Sequence, residues 1–215
     1  MPHVSVIDPA MRIPELDCFN RMSRRSRVPL TYHLPALFGT ASLDTAGDDL
    51  RGVIVLGSGA SVNQDHAWQQ ALRAWLRPRI DAGVPMLGLC YGHQLLASIL
   101  GGRVGWAFPE RRKASGFRTV HLSDDRLWGP ARDGRLLVSH SEAVLDVPAD
   151  CAVVGTSETC PVEALAHRSL PIWSFQAHPE ATPAFAANND VPFVEPPEIL
   201  AFGHSLVDAF LDRTA

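Results

Sequence analysis

Apolar positions in this chain alternate between short wholly apolar runs and longer stretches with helical spacing. His3 to Asp8 (HVSVID) predicts a first strand closed by Pro9, residues 14 to 26 a helix, and Val28 to Leu34 (VPLTYHL) a second strand. Residues 36 to 50, with Gly39, Gly47 and two aspartates, predict a loop with one helical turn. Val53 to Leu56 is apolar throughout and ends at Gly57-Ser58-Gly59, as a strand buried on both faces of a parallel sheet would. Asp65 to Ala82 spaces Trp68, Leu72, Trp75, Leu76 and Ile80 along one helical side, with Gly83 just past the end as a C-cap. Val84 to Leu89 (VPMLGL) repeats the apolar strand, and Tyr91 to Leu100 a helix that stops at Gly101-Gly102.

Strand and helix thus alternate over the first hundred residues, which predicts an α/β fold with a central, mostly parallel sheet flanked by helices. The second half changes character. Short strands are expected near 103 to 108, 116 to 122, 136 to 139, 152 to 155, 162 to 167 and 171 to 175, either extending the sheet or forming an antiparallel layer beside it. A last helix, roughly 197 to 212, follows Pro196-Pro197 and lines up Ile199, Leu200, Leu206, Val207, Phe210 and Leu211.

Composition narrows what such a fold can do. The 215 residues suit one domain spanning 1 to 215. Nineteen basic against 23 acidic residues leave a net charge of −4, which argues against nucleic-acid and polybasic membrane partners. No apolar run reaches the ~20 residues of a bilayer span, and the start lacks the charged and apolar regions of a leader, so a cytoplasmic protein is expected. Cys18, Cys90, Cys151 and Cys160 show neither C-x-x-C nor zinc spacing, so no metal site or cofactor is expected. Lys113 is the only lysine and has no glycine loop before it, which excludes a Walker-A phosphate site.

The chemistry concentrates at two places. Gly88-Leu89-Cys90-Tyr91-Gly92 is a G-x-C-x-G between an apolar strand and a helix, the pattern of a nucleophile elbow with cysteine for serine. Such a turn strains the nucleophile's backbone and holds its side chain above the sheet, while a helix N-terminus favours thiolate. A buried structural cysteine is the bland alternative. Phe175-Gln176-Ala177-His178-Pro179-Glu180 follows another apolar run, so His178 can act as general base and Glu180 can hold its tautomer. Cys90 and His178, each at the carboxyl end of a predicted strand, reinforce one another.

Both motifs, in this order, resemble the class I (triad) glutamine amidotransferases, over about residues 50 to 182, and are similar to stand-alone members related to the amidotransferase domain of GMP synthase. Leu87 to Leu96 resembles the family's nucleophile segment and Phe175 to Glu180 its histidine-glutamate segment. Val55 to Ser61 sits where the family carries its oxyanion loop, and Ser139-His140-Ser141-Glu142 where it carries a glutamine-contacting turn. The resemblance implies a flavodoxin-like fold and attack by Cys90 on a γ-carboxamide carbon. Backbone N–H groups of Tyr91 and of Gly57, Ser58 and Gly59 would form the oxyanion hole. His178, oriented by Glu180, would protonate the leaving ammonia. It also implies that Gln94 and the chain near His140 and Ser141 hold the substrate's amino-acid end.

Two departures stand out. The loop reads Gly57-Ser58-Gly59 where Gly-Gly-Pro is usual, so a hole that needs a positive φ at the second position would strain Ser58, and either the donor shifts to Gly59 or the hole forms only with substrate or partner bound. Glu142 replaces a more usual aspartate. Arg21, Arg24, Arg25 and Arg27 are expected at a solvated helix end, with a docking patch as the alternative, and Arg111-Arg112-Lys113 in a solvated loop, with contact to a substrate carboxylate or a partner as the alternative. Three functions follow. The first is a glutaminase module serving a separate synthetase subunit, since the chain has neither a P-loop nor an S-G-G-x-D-S loop and its length leaves no room for an acceptor-activating half. The second is a self-sufficient hydrolase of another γ-glutamyl compound, and the third a non-enzymatic binding domain on the same fold.

Overall fold

A computed structural model describes residues 1–45 and 49–215. Its elements are, in chain order, β1 (His3–Ile7), α1 (Leu16–Arg25), β2 (Leu30–His33), α2 (Pro35–Phe38), α3 (Ala41–Asp44), β3 (Leu50–Val55), α4 (Ala67–Asp81), β4 (Met86–Leu89) and α5 (Tyr91–Ile99). There follow β5 (Arg103–Trp106), β6 (Ala114–Leu122), β7 (Arg132–His140), β8 (Glu142–Asp146), β9 (Cys151–Ser157), β10 (Cys160–His167), β11 (Ile172–Phe175), α6 (Pro183–Asn188), a 3₁₀ turn at Pro197–Leu200 and α7 (Ala201–Arg213).

The sheet has nine strands in the order β2-β1-β3-β4-β11-β10-β9-β6-β7. Neighbours from β2 to β11 run parallel, and from β11 to β7 antiparallel. The apolar runs are explained by this arrangement. Along β3, Ile54 packs with Val4, Val6, Leu87 and Phe210 on one face, while Val53 and Val55 pack with Leu72, Leu76 and Leu95 on the other. A central parallel strand buries alternate residues in two different cores, so it carries no polar face.

The second half extends the central sheet, and among the described residues only β5 and β8 stand apart as an antiparallel pair. Residues 142–146 and 183–188 form a strand and a helix that the sequence pattern does not announce. The loop expected at 36 to 50 contains the two single turns α2 and α3, while its Gly47 lies outside the described residues.

The basic cluster on α1 differs from expectation. Arg21 reaches Asp208 at 2.6 Å and Arg25 reaches Asp212 at 3.0 Å, both carboxylates on α7. Arg27, just past the end of α1, also lies 3.9 Å from Asp212, so three of the four arginines tie this end of α1 to α7 instead of facing solvent freely. No helix among the described residues is long and apolar enough to cross a membrane.

Candidate active site

Strand order reverses beside β1: β2 lies on one side, while β3, β4 and β11 lie on the other. Crevices at such switch points, beyond the strands' carboxyl ends, are where open α/β sheets bind ligands. Here the segments leaving β1, β3, β4 and β11 surround a cleft of about 610 Å³.

Cys90 occupies its floor. Its φ of 51° and ψ of −101° lie outside the regions that side-chain-bearing residues favour, and its N–H donates to the Phe175 carbonyl at 2.8 Å. The flanking glycines make the turn possible by packing, not by unusual dihedrals. A Cβ on Gly88 would lie 2.5 Å from the Gly92 oxygen, and one on Gly92 would lie 2.1 Å from the Val55 oxygen. The elbow presses directly onto backbone. Tyr91 opens α5, so its N–H has no acceptor within the helix. Its side chain turns into the core, where the hydroxyl accepts from Gln69 Nε2 at 3.0 Å.

His178 follows β11 and is buried, with Nδ1 2.9 Å from Glu180 Oε1. The Phe185 ring of α6 covers the imidazole, 4.4 Å away between centroids. A Cβ on Gly57 would come within 2.7 Å of His178 Cε1, so the β3 loop can pass this closely only as glycine. Burial by itself pulls the His178 pKa down, yet the negative charges of Cys90 and Glu180 outweigh it and raise it from 6.5 to about 10. Because the value is higher folded than unfolded, the imidazolium stabilises the fold fully below about pH 6.5, and that contribution is lost as pH rises toward 10. The Tm difference between the parent and Glu180→Gln is therefore expected to be largest below neutrality and to shrink toward pH 10. Thermal melts across that range check it, and a constant difference would contradict it.

The oxyanion-loop candidates take an unexpected form. None of Gly57, Ser58 and Gly59 has a positive φ, so the strain anticipated at Ser58 is absent. Ser58 instead ties two loops together, its hydroxyl donating to the Pro9 carbonyl at 2.6 Å and accepting from the Ala60 N–H at 3.1 Å. The substitution at Glu142 is likewise accommodated, since its carboxylate accepts from Ser61 Oγ at 2.7 Å across the cleft wall.

Gln94, His140 and Ser141 also line the cleft. Arg118 donates to His140 Nε2 at 2.8 Å, so the ring proton sits on Nδ1 and donates to the Glu142 carbonyl at 2.9 Å. Burial first, then the Arg118 charge, lower His140 to about 3 and keep it neutral. Gln94 Nε2 donates to that same carbonyl at 2.8 Å and to Gln176 Oε1 at 3.2 Å. Two acceptors on one atom fix the amide's orientation. Gln176 Nε2 in turn faces Cys90 Sγ at 3.9 Å.

Gln176, Arg118 and its buried partner Glu163 were not singled out from sequence, nor were Glu15, Trp106 and Asn189 of the cleft wall. Gln176 lies in the same six-residue segment as His178, and its position two residues before the histidine is the one signal that could have found it. Among the described residues no cluster of histidine, cysteine and carboxylate side chains could hold a metal ion.

An α/β switch-point cleft with a cysteine on its elbow and a carboxylate-bound histidine opposite defines the class. The model of the class-I glutamine amidotransferase family matches residues 29–189, and the chain belongs to that family. A subunit of the glutamine-hydrolyzing GMP synthase of Pyrococcus abyssi is 42% identical over 101 residues, which cover 46% of this chain and 53% of that protein. The glutamine-hydrolyzing GMP synthase of Vibrio campbellii is 34% identical over 141 residues, 61% of this chain and 24% of that one. The matched part thus spans about half the length of the Pyrococcus relative. In fold, the chain is similar to a glutamine amidotransferase from Thermotoga maritima, with TM-score 0.77 and 17% identity over 99% of this chain and 97% of that one. It is also similar to one from Methylobacillus flagellatus, with TM-score 0.73 and 18% identity over 99% and 94% of the two chains.

Proposed function

We propose that this protein hydrolyses the γ-carboxamide of glutamine through a Cys90–His178–Glu180 triad and a γ-glutamyl thioester. The observation that carries the reading is that the elbow cysteine and a buried imidazole line one cleft, the cysteine's charge raising the imidazole's pKa while a carboxylate holds its Nδ1. Cys90 Sγ attacks the carbonyl carbon, and the oxyanion forms beside the Tyr91 N–H and the Gly57–Gly59 backbone. The imidazolium gives its proton to the departing nitrogen, and ammonia leaves. Water, deprotonated by His178, then attacks the thioester, releasing glutamate and returning the thiol.

Gln94 suits the substrate's ammonium. Its Nε2 is occupied by two acceptors, which turns Oε1 to the cleft as an acceptor. The released ammonia serves a separate synthetase partner; the relatives named as one subunit of a GMP synthase support this reading. The four unpaired thiols suit a reducing, cytoplasmic setting. Purified protein incubated with glutamine is expected to release ammonia and glutamate in equal amounts, alone or on adding a synthetase partner. Silence under both conditions would refute the reading.

A further inference from the structure

The cleft is larger than its proposed substrate. About 610 Å³ falls in the ~300–1,000 Å³ range of pockets that enclose drug-sized ligands, and glutamine, with one short amide side chain, fills a fraction of it. Its floor and its mouth also differ in character. Cys90, Gln94, His140 and His178 on the floor are buried and tied by hydrogen bonds. At the mouth, Met11, Ile13 and Trp106 are 41%, 50% and 45% exposed, an apolar surface opening onto solvent.

Two cations stand at the same mouth. Arg12 lies on the segment after β1 and Lys113 immediately before β6, both exposed and both lining the cleft. Among the described residues neither has a carboxylate partner; Lys113 Nζ donates only to the Asn189 carbonyl at 3.2 Å. The two acids of the wall are already engaged. Glu142 accepts from Ser61, and Glu15 accepts from Asn189 Nδ2 at 2.7 Å, with burial pushing its pKa up to about 7. The mouth therefore offers positive charge beside apolar surface, apart from the buried floor residues Cys90, Gln94 and His178.

We propose that this mouth is a leaving-group subsite for an amino acid, its carboxylate met by Arg12 and Lys113 and its side chain by Met11, Ile13 and Trp106, so that the substrate class extends to γ-glutamyl amino acids. The inference rests on the chemistry proposed above. The amide C–N bond breaks as the Sγ–C bond forms, the nitrogen takes the His178 proton and departs as the free amine of the amino acid, and water resolves the same thioester to glutamate. No co-reactant beyond water is required.

The test uses γ-glutamylleucine and its C-terminal amide, which differ in the one charge the subsite is built to meet. Calorimetric binding to the full-length Cys90→Ala variant is expected to favour the carboxylate about tenfold, a preference that Arg12→Gln with Lys113→Gln reduces toward parity. Steady-state turnover by the parent is expected to show the same ratio in kcat/KM. Equal affinity for the pair, or a preference that survives both substitutions, would overturn the subsite even if glutamine is hydrolysed well. A charge-dependent preference with no turnover of any γ-glutamyl compound would leave the subsite standing and remove the hydrolytic reading. If Cys90→Ala proves unstable, the turnover ratio of parent and double variant decides alone.

Discussion

Cys90→Ala is expected to lower glutamine hydrolysis by at least about a thousandfold while the protein stays folded. The loss follows from the covalent route: without Sγ no thioester forms, and the remaining donors can only polarise an amide that water attacks slowly. The fold is expected to survive, losing only the share of stability that the Cys90 charge contributes through the raised His178 pKa, because the sulfur's polar contacts, to the Ser139 carbonyl and Gln176 Nε2, are both 3.9 Å long. The strained φ of 51° burdens alanine no more than cysteine. A second readout accompanies the first. Removing Cys90 takes away one of the two negative charges that hold His178 protonated, so the imidazole of the variant should titrate at lower pH than in the parent, as followed by NMR. Parent-like turnover by a folded Cys90→Ala protein would falsify the nucleophile assignment, and an unshifted His178 would remove the electrostatic coupling between the two.

That coupling marks the line between what the sequence reveals and what only the fold can. Cys90 and His178 are legible because each sits where an apolar run meets a turn, and such runs are the plainest signal that a parallel sheet leaves in a sequence. Arg118 and Glu163 are not. They lie on β6 and β10, which meet only because both pair with β9, and nothing local to either strand signals the ion pair. Length set the other limit. β8 has five residues of which two are buried, and α6 spans six, too few for either period to stand out from a loop. Yet α6 supplies the Phe185 ring over His178 and β8 begins at the carbonyl that orients Gln94. Ser58 shows a different failure. Strain was expected there from the family's glycine, whereas the loop keeps a negative φ and uses the hydroxyl as a tie to Pro9.

Gly92→Ala is expected to destabilise the protein by more than about 3 kcal/mol, although helix propensity alone argues for a gain of roughly 1 kcal/mol. Gly92 is the second residue of α5, a position at which alanine normally improves a helix. Here the new methyl would lie 2.1 Å from the Val55 oxygen, 2.8 Å from its carbonyl carbon and 2.9 Å from its Cβ. These are atoms of a central strand paired on both edges, so they cannot rotate aside as the tip of a flexible side chain would. The helix must retreat instead, and Cys90, immediately before it and bonded through its N–H to Phe175, retreats with it. Activity should therefore fall with stability. Gly59→Ala is the control: its Cβ would meet nothing within 4 Å and its φ is not positive, so its stability should stay within about 0.5 kcal/mol of the parent. Urea unfolding of the three proteins measures both effects, and a Gly92→Ala protein as stable as the Gly59→Ala control would mean that helix and strand do not pack as closely as these distances require.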